Sequence, residues 1–288
     1  MIFFHATRFG GIGMSAFHVV ANAEGTVVRP TIQQVGILDV IDALRRGWSD
    51  FREKPSHYVF LSLLYPVAGL VLVAWSAGAN LLPLMFPLAS GFALLGPVAA
   101  IGLYEISRRR ELGLDAAWHH ALDVRHSPAL FSIAAAAVVL LALFIAWLKV
   151  AETIHAAYFG DDPPATLSLF LHQVLATREG WLMIFWGDLA GLVFAVAVLA
   201  VSVITFPLLL ERDVGAFVAL QTSLRAFIAN PLPLLAWGAI VAVLLAIGTI
   251  PLFAGLAVVL PVLGHATWHL YRKLIGPEEL QLGDGGRL

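Results

Sequence analysis

Residues 129–148 read ALFSIAAAAVVLLALFIAWL, twenty positions without one charged side chain. A helix of that length rises about 30 Å, the thickness of a bilayer's hydrocarbon core. Proline and arginine stand just before it (Arg125, Pro128) and Lys149 just after it, so the apolar run is bounded on both sides. Such a segment is read as a membrane span. Five further runs have the same character, at about 59–78, 81–104, 181–210, 232–248 and 251–270.

The composition agrees. The chain is 60% hydrophobic and 12% charged, with a mean hydropathy of +0.87. Soluble domains carry about 25% charged residues, so the side chains here are too apolar to cover a water-facing surface. The net charge of −2 gives no motive for nucleic acid as a partner, and the lipid bilayer is the expected one, with other membrane-complex subunits as the candidate protein partners. The absence of cysteine excludes disulfides, thiolate metal sites and cysteine nucleophiles.

The predicted fold class is all-α: a polytopic membrane protein with six transmembrane helices in three hairpins. Residues 1–36 are read as a largely irregular N-terminal cytoplasmic segment, 37–275 as one membrane domain and 276–288 as a disordered cytoplasmic tail. Arg8 and the glycines at 10–13 interrupt the apolar start, so no signal peptide is read, and Met1 and Met14 are both readable as the start. Pro83, Pro87, Pro97, Pro207 and Pro261 fall inside spans and are read as kinks, because neighbouring helices can satisfy the carbonyls that proline frees. Short turns near Asn80 and near 249–251 force antiparallel hairpins.

Lysine and arginine give the direction. Fifteen of the 17 fall on one side of the expected spans, among them Arg45, Arg46, Arg108, Arg109, Arg110, Arg272 and Lys273; the other side holds only Lys149 and Arg178. Positive loops stay inside, so both termini are expected in the cytoplasm, and a bacterial inner membrane is the simplest location. These basic residues are read as topology and lipid-headgroup determinants.

Three octets align on a proline: 48–55 (WSDFREKP), 121–128 (ALDVRHSP) and 224–231 (LRAFIANP). Each closes an amphipathic stretch, at about 37–53, 111–126 and 214–229, and a span follows at once. In the first, Ile37, Val40, Ile41, Leu44, Trp48 and Phe51 share one helical face, which predicts an interfacial helix with its apolar side in the headgroup boundary. The unit is an interfacial helix plus a two-span hairpin, used three times. An outer insertion at about 149–180 carries a short amphipathic helix around Leu167, Phe170, Leu171, Val174 and Leu175.

The string 264–272 (GHATWHLYR), with 44–48 (LRRGW) and Gly96–Pro97, resembles the DUF2189 family of predicted bacterial integral membrane proteins, over roughly residues 35–273. The resemblance implies membrane location and no catalytic residues.

Few residues offer chemistry. His265 and His269 stand four apart on one helix face and could share a metal ion or ligate haem. Glu105 is the best third ligand, with His57, His119, His120 and His126 on the same side. The plainer reading is that these histidines hydrogen-bond backbone and headgroups, and no cofactor is expected. His119 and His120, being adjacent, should diverge by about 100° on a helix and not chelate together. Asp188 is a carboxylate inside the fourth span, flanked by Gly187 and Gly191, and an intramembrane carboxylate is a candidate for a proton or cation path. The sequence has no Walker A loop, no dinucleotide glycine fingerprint, no HExxH and no GxSxG elbow. A non-enzymatic accessory or scaffold role is the first expectation. A solute or ion path at Asp188 and metal or haem binding are the alternatives.

Overall fold

A computed structural model describes residues 30–53, 82–160, 164, 166–251 and 253–276. The expected first span, with Pro55 and His57, lies outside these residues, as do most of the N-terminal segment and the tail from 277. The described residues form helices α1 (Ile37–Glu53), α2 (Met85–Leu94), α3 (Gly96–Ala99), α4 (Ile101–Glu111), α5 (Leu130–Phe159), α6 (Leu167–Ala176), α7 (Arg178–Ser202), α8 (Thr205–Glu211), α9 (Ala216–Ala229), α10 (Pro231–Thr249) and α11 (Leu256–Leu274). A 3-10 helix, Trp118–His126, lies between α4 and α5.

Three helices are long and apolar enough to cross a bilayer: Leu130–Phe159, the bent helix Arg178–Glu211, and Pro231–Thr249. The other expected spans look different. The second is broken into α2, α3 and α4, with Pro97 opening the short middle piece. The sixth is α11, which begins at Leu256 after a turn with Phe253 at φ 65°. That turn brings two glycines together: a Cβ on Gly255 would stand 2.9 Å from the Cα of Gly248.

The bend between α7 and α8 shows how a proline is accommodated in an apolar helix. Pro207 has no N–H, so the carbonyl of Val203 loses its helical donor and the helix opens around Val203 and Ile204. Helix α9 supplies partners for backbone groups beside the opening. Ser223 donates to the carbonyl of Ala200 at 2.9 Å and accepts from the N–H of Ile204 at 3.2 Å. The hydroxyl of Thr205 lies 2.5 Å from the carbonyl of Val201 and 3.3 Å from that of Ala219 on α9. With these groups paired, the bend can sit in the core, where Ile204, Phe206, Leu208 and Leu209 are buried.

The first amphipathic stretch is a helix with the expected bounds, but its apolar face is turned towards protein. Val40, Ala43, Gly47 and Phe51 are buried, and α1 packs along α11. Gly47 makes this possible: a Cβ there would stand 2.6 Å from the amide nitrogen of Ala266 and from the carbonyl oxygen of Val262. Leu38 and Trp48 stay exposed. The third stretch, α9, likewise buries Ala216, Val218, Ala219, Thr222, Ser223 and Ala226. Small side chains let these helices pack closely on their protein neighbours. The second stretch is a turn followed by the 3-10 helix, packed on α4.

Helix α5 runs past its expected end at 148, extended by the Lys149–Glu152 ion pair and stopped by Gly160 at φ 78°. The short amphipathic helix expected after the third span is α6, with Thr166 capping its first turn through the N–H of Leu169. The flanks of the described chain meet. Residues Thr31 to Gln33 pair with Leu274 to Gly276, and Asn230 holds both Val35 N–H (2.9 Å) and Gln33 C=O (3.1 Å).

Candidate functional site

Helices α4, α8 and α11 converge at their C-terminal ends, where Arg108, Arg109, Arg110, Arg212, Arg272 and Lys273 stand. Charge does not simply face outward there. Glu105, 5% exposed, accepts from Arg108 at 2.8 and 2.9 Å and from Arg109 at 2.8 Å. Arg110 reaches the carbonyl of Asp50 at 2.8 Å and pairs with the Asp50 and Glu53 carboxylates. Arg272 bridges Glu111 (2.9 Å) and Glu211 (2.6 Å), while Trp268 donates to Glu111 and Tyr271 to Glu211. Lys273 pairs with Asp39 and Asp42 of α1. Arg46 pairs with Asp42 on its own helix, and Arg45 is exposed. Of the basic residues read as headgroup determinants, Arg110, Arg272 and Lys273 thus clamp helices together and Arg109 reaches Asp123 of the 3-10 helix, while Arg46 and Arg108 pair within their own helices.

This arrangement separates the expected metal trio. Both oxygens of Glu105 are taken by arginines. His265, fully buried, has Nδ1 2.6 Å from the hydroxyl of Ser107. His269 has Nε2 2.9 Å from Asp50. Among the described residues, His265, His269 and Glu105 do not form a group whose ligand atoms lie close enough to share an ion. The i, i+4 spacing put the histidines on one face, but each found a partner on a different helix: Ser107 on α4 and Asp50 on α1. Neither partner stood out in the sequence.

The three aspartates of α1 are held below their ordinary range. For Asp50, burial pushes upward, but the hydrogen bond to His269 and the charges around it, Arg110 among them, outweigh it. For Asp39 the backbone N–H of Gly36 and then Lys273 lower it; for Asp42 Lys273 does. A carboxyl with a lowered folded-state pKa contributes stability above its unfolded value, about 3.9, and loses it as pH falls through the folded value. Below about pH 4, α1 should loosen from α11. Amide exchange in α1 should rise from pH 5 to pH 3 beyond the intrinsic change, and D39N/D42N/D50N should flatten that dependence.

The one group of histidine and acidic residues that the described structure brings within reach of a common ion is elsewhere. Ligand atoms of Asp115, His119 and His120 lie within 4.8 Å of one another. The adjacent histidines were expected to diverge, yet their ring centroids are 4.2 Å apart, on a 3-10 helix packed against α4. His120 is pushed above its ordinary value, chiefly by its hydrogen bond to Asp123 and also by Asp115, against some burial.

Asp188 is exposed on α7, in a groove of about 260 Å³ lined by Phe86, Ser90, Leu94 and Trp147 from α2 and α5. Of its flanking glycines, Gly191 faces Trp147, which a Cβ at 191 would meet at 3.3 Å, and a Cβ at Gly187 would meet nothing within 4 Å. The small-residue spacing therefore makes one close contact, not two. Trp147 is fixed by donating to the carbonyl of Pro87 at 3.0 Å.

Long apolar helices, with polar residues gathered at the basic helix ends, define an all-helical integral membrane protein. A family model described as "Predicted integral membrane protein (DUF2189)" matches residues 84–211, from the start of α2 to the end of α8. Of the features on which the resemblance rests, Gly96–Pro97 falls inside the match, and the strings at 44–48 and 264–272 fall outside it. No curated protein and no solved structure matches the chain.

Proposed function

We propose that this is a six-span inner-membrane protein with both termini in the cytoplasm, acting as a non-enzymatic accessory or scaffold component of a membrane complex or of lipid organisation. The observation that supports this reading most is the mutual pairing of the polar residues at the basic end. Asp50, Glu111, Glu211, Arg110 and Arg272 use their charges to tie α1, α4, α8 and α11 to one another, while Glu105 and Arg108 pair within α4. Groups poised for catalysis are more often left with a free lone pair or proton aimed into a cleft. The fifteen-to-two split of basic residues supports the orientation.

Cross-linking in native membranes followed by quantitative co-purification tests the role. A stoichiometric membrane partner is the expected result. A chain that runs alone and moves solute or turns over substrate would sink it. Reporter fusions at residue 113 and residue 160 test the orientation, with the first expected inside and the second outside.

The groove at Asp188 favours a second reading, a path for a small solute or cation. An exposed carboxylate on an apolar helix needs either water or a cation. Flux into liposomes, compared with Asp188→Asn, decides it: equal flux in both, or none in either, removes the motive.

A further inference from the structure

The segment joining α4 to α5 holds a group of side chains that the scaffold reading leaves unused. We propose that Asp115, His119 and His120 form a binding site for one divalent first-row transition-metal ion of the zinc class, with Asp123 positioning His120.

The geometry is that of a supported imidazole ligand. His120 Nδ1 lies 2.6 Å from Asp123 Oδ2. A carboxylate there keeps the proton on Nδ1 and leaves the lone pair on Nε2, the second-shell arrangement that orients metal-binding histidines. Asp123 is itself held by Arg109 at 3.0 Å, and Arg109 by Glu105. The ring is therefore anchored through a chain of charged groups to the body of α4. Packing adds to this: a Cβ on Gly102 of α4 would stand 2.9 Å from the Cβ of Ala121, so the 3-10 helix sits hard against α4.

Nε2 of His120 faces Asp115 Oδ2 at 3.1 Å. Two ligands each about 2.0–2.1 Å from a tetrahedral ion stand about 3.4 Å apart, so this pair already has nearly the spacing of one tetrahedron edge. The other Asp115 oxygen accepts from the N–H of Ala117 at 3.2 Å, which fixes the carboxylate on its own turn. His119 supplies the third atom, within 4.8 Å of the other two, and small rotations of an exposed ring close the remaining distance.

Donor chemistry selects the ion. Calcium and magnesium need six or more oxygen ligands, which one carboxylate does not supply. Two imidazoles and a carboxylate suit zinc, cobalt or nickel. Three protein ligands leave a fourth position to water, and the exposure of Asp115 and His119 gives the ion a direct way in. An ion bound here would pin the Asp115 turn to the 3-10 helix, and through Asp123 and Arg109 to Glu105.

The same contacts would also suit a protonated His120 shared between two carboxylates, and binding measurements distinguish the two. The full chain, purified in detergent without a polyhistidine tag and stripped with chelator, is titrated with Zn²⁺ by calorimetry and with Co²⁺ by visible absorption. The expected result is one ion per chain with a dissociation constant in the micromolar range or tighter, and cobalt d–d bands of a four-coordinate site. Asp115→Asn and His119→Ala should each weaken binding at least about tenfold, and Asp123→Asn about 10–100-fold. All three residues lie on the surface, and circular dichroism checks that each variant is folded. No saturable binding, or a one-to-one site that survives both Asp115→Asn and His119→Ala, overturns the proposal.

Discussion

Gly47→Ala should lower the melting temperature of the detergent-solubilised protein. In most helix interiors, glycine to alanine is a gain of about 0.5–1 kcal/mol, because alanine loses less backbone freedom on folding. Here the added methyl meets backbone on two sides, at 2.6 Å from Ala266 N and 2.6 Å from Val262 O. Backbone cannot swing aside as the end of a side chain can. To accommodate the methyl, α1 must move away from α11, exposing Val40, Ala43 and Phe51. Overpacking costs typically 1–3 kcal/mol and at times more. A domain of this size shifts by about 2–4 °C per kcal/mol, so a fall of about 5–10 °C is expected. Gly187→Ala is the matched control: it is also in a helix interior, but nothing stands within 4 Å of its Cβ. It should leave the melting temperature unchanged or raise it slightly. Equal effects of the two substitutions would mean that α1 does not dock on α11 through Gly47.

How far the sequence alone reaches can be judged at that helix. The 3.6-residue periodicity of Ile37, Val40, Leu44 and Phe51 gives both ends of α1, because period and the closing proline are local properties. The partner of its apolar face is not local. Lipid and a neighbouring helix both satisfy a hydrophobic stripe, and only the glycine at 47 hints at close approach to another backbone. The same limit holds for the arginines. Counting them by loop indicates a side of the membrane, but says nothing about Arg110 reaching Asp50 or Arg272 reaching Glu111 and Glu211, pairs separated by 60 or more positions. The stretch at 111–126 was misread for another reason. Its apolar positions fit an α-helix, yet the chain turns at Gly113, at φ 68°, and only Trp118–His126 winds again, as 3-10, with the rings of His119 and His120 4.2 Å apart. His265 and His269 were noticed for their spacing, whereas their partners Ser107 and Asp50 are ordinary in sequence.

Removing Glu105 should be the most costly loss of a single charge. Its carboxylate is 5% exposed and takes three hydrogen bonds from Arg108 and Arg109, whose side chains are 30% and 20% exposed. Cutting away one partner of a buried pair leaves uncompensated charge and costs about 3–5 kcal/mol. The partial exposure of the two arginines reduces this, so Glu105→Ala should cost about 3 kcal/mol. Glu152→Ala breaks the exposed Lys149–Glu152 pair, at 55% and 74% exposure, and should cost under about 1 kcal/mol. Solubility in detergent, melting temperature and amide exchange each rank the two variants, and comparable losses would show that burial of Glu105 does not govern the cluster. The damage should also spread in a defined direction. Arg109 holds Asp123 at 3.0 Å and the carbonyl of Asp115 at 3.2 Å, so freeing it should raise amide exchange across residues 115–126 before it reaches α5. A compensated variant separates charge from packing. Replacing a buried ionic cluster by apolar side chains of similar size is often neutral or stabilising, so E105L/R108M/R109M should recover most of the stability that Glu105→Ala loses. It should not recover the order of residues 115–126, because that segment depends on the guanidinium of Arg109 and not on the volume of its side chain.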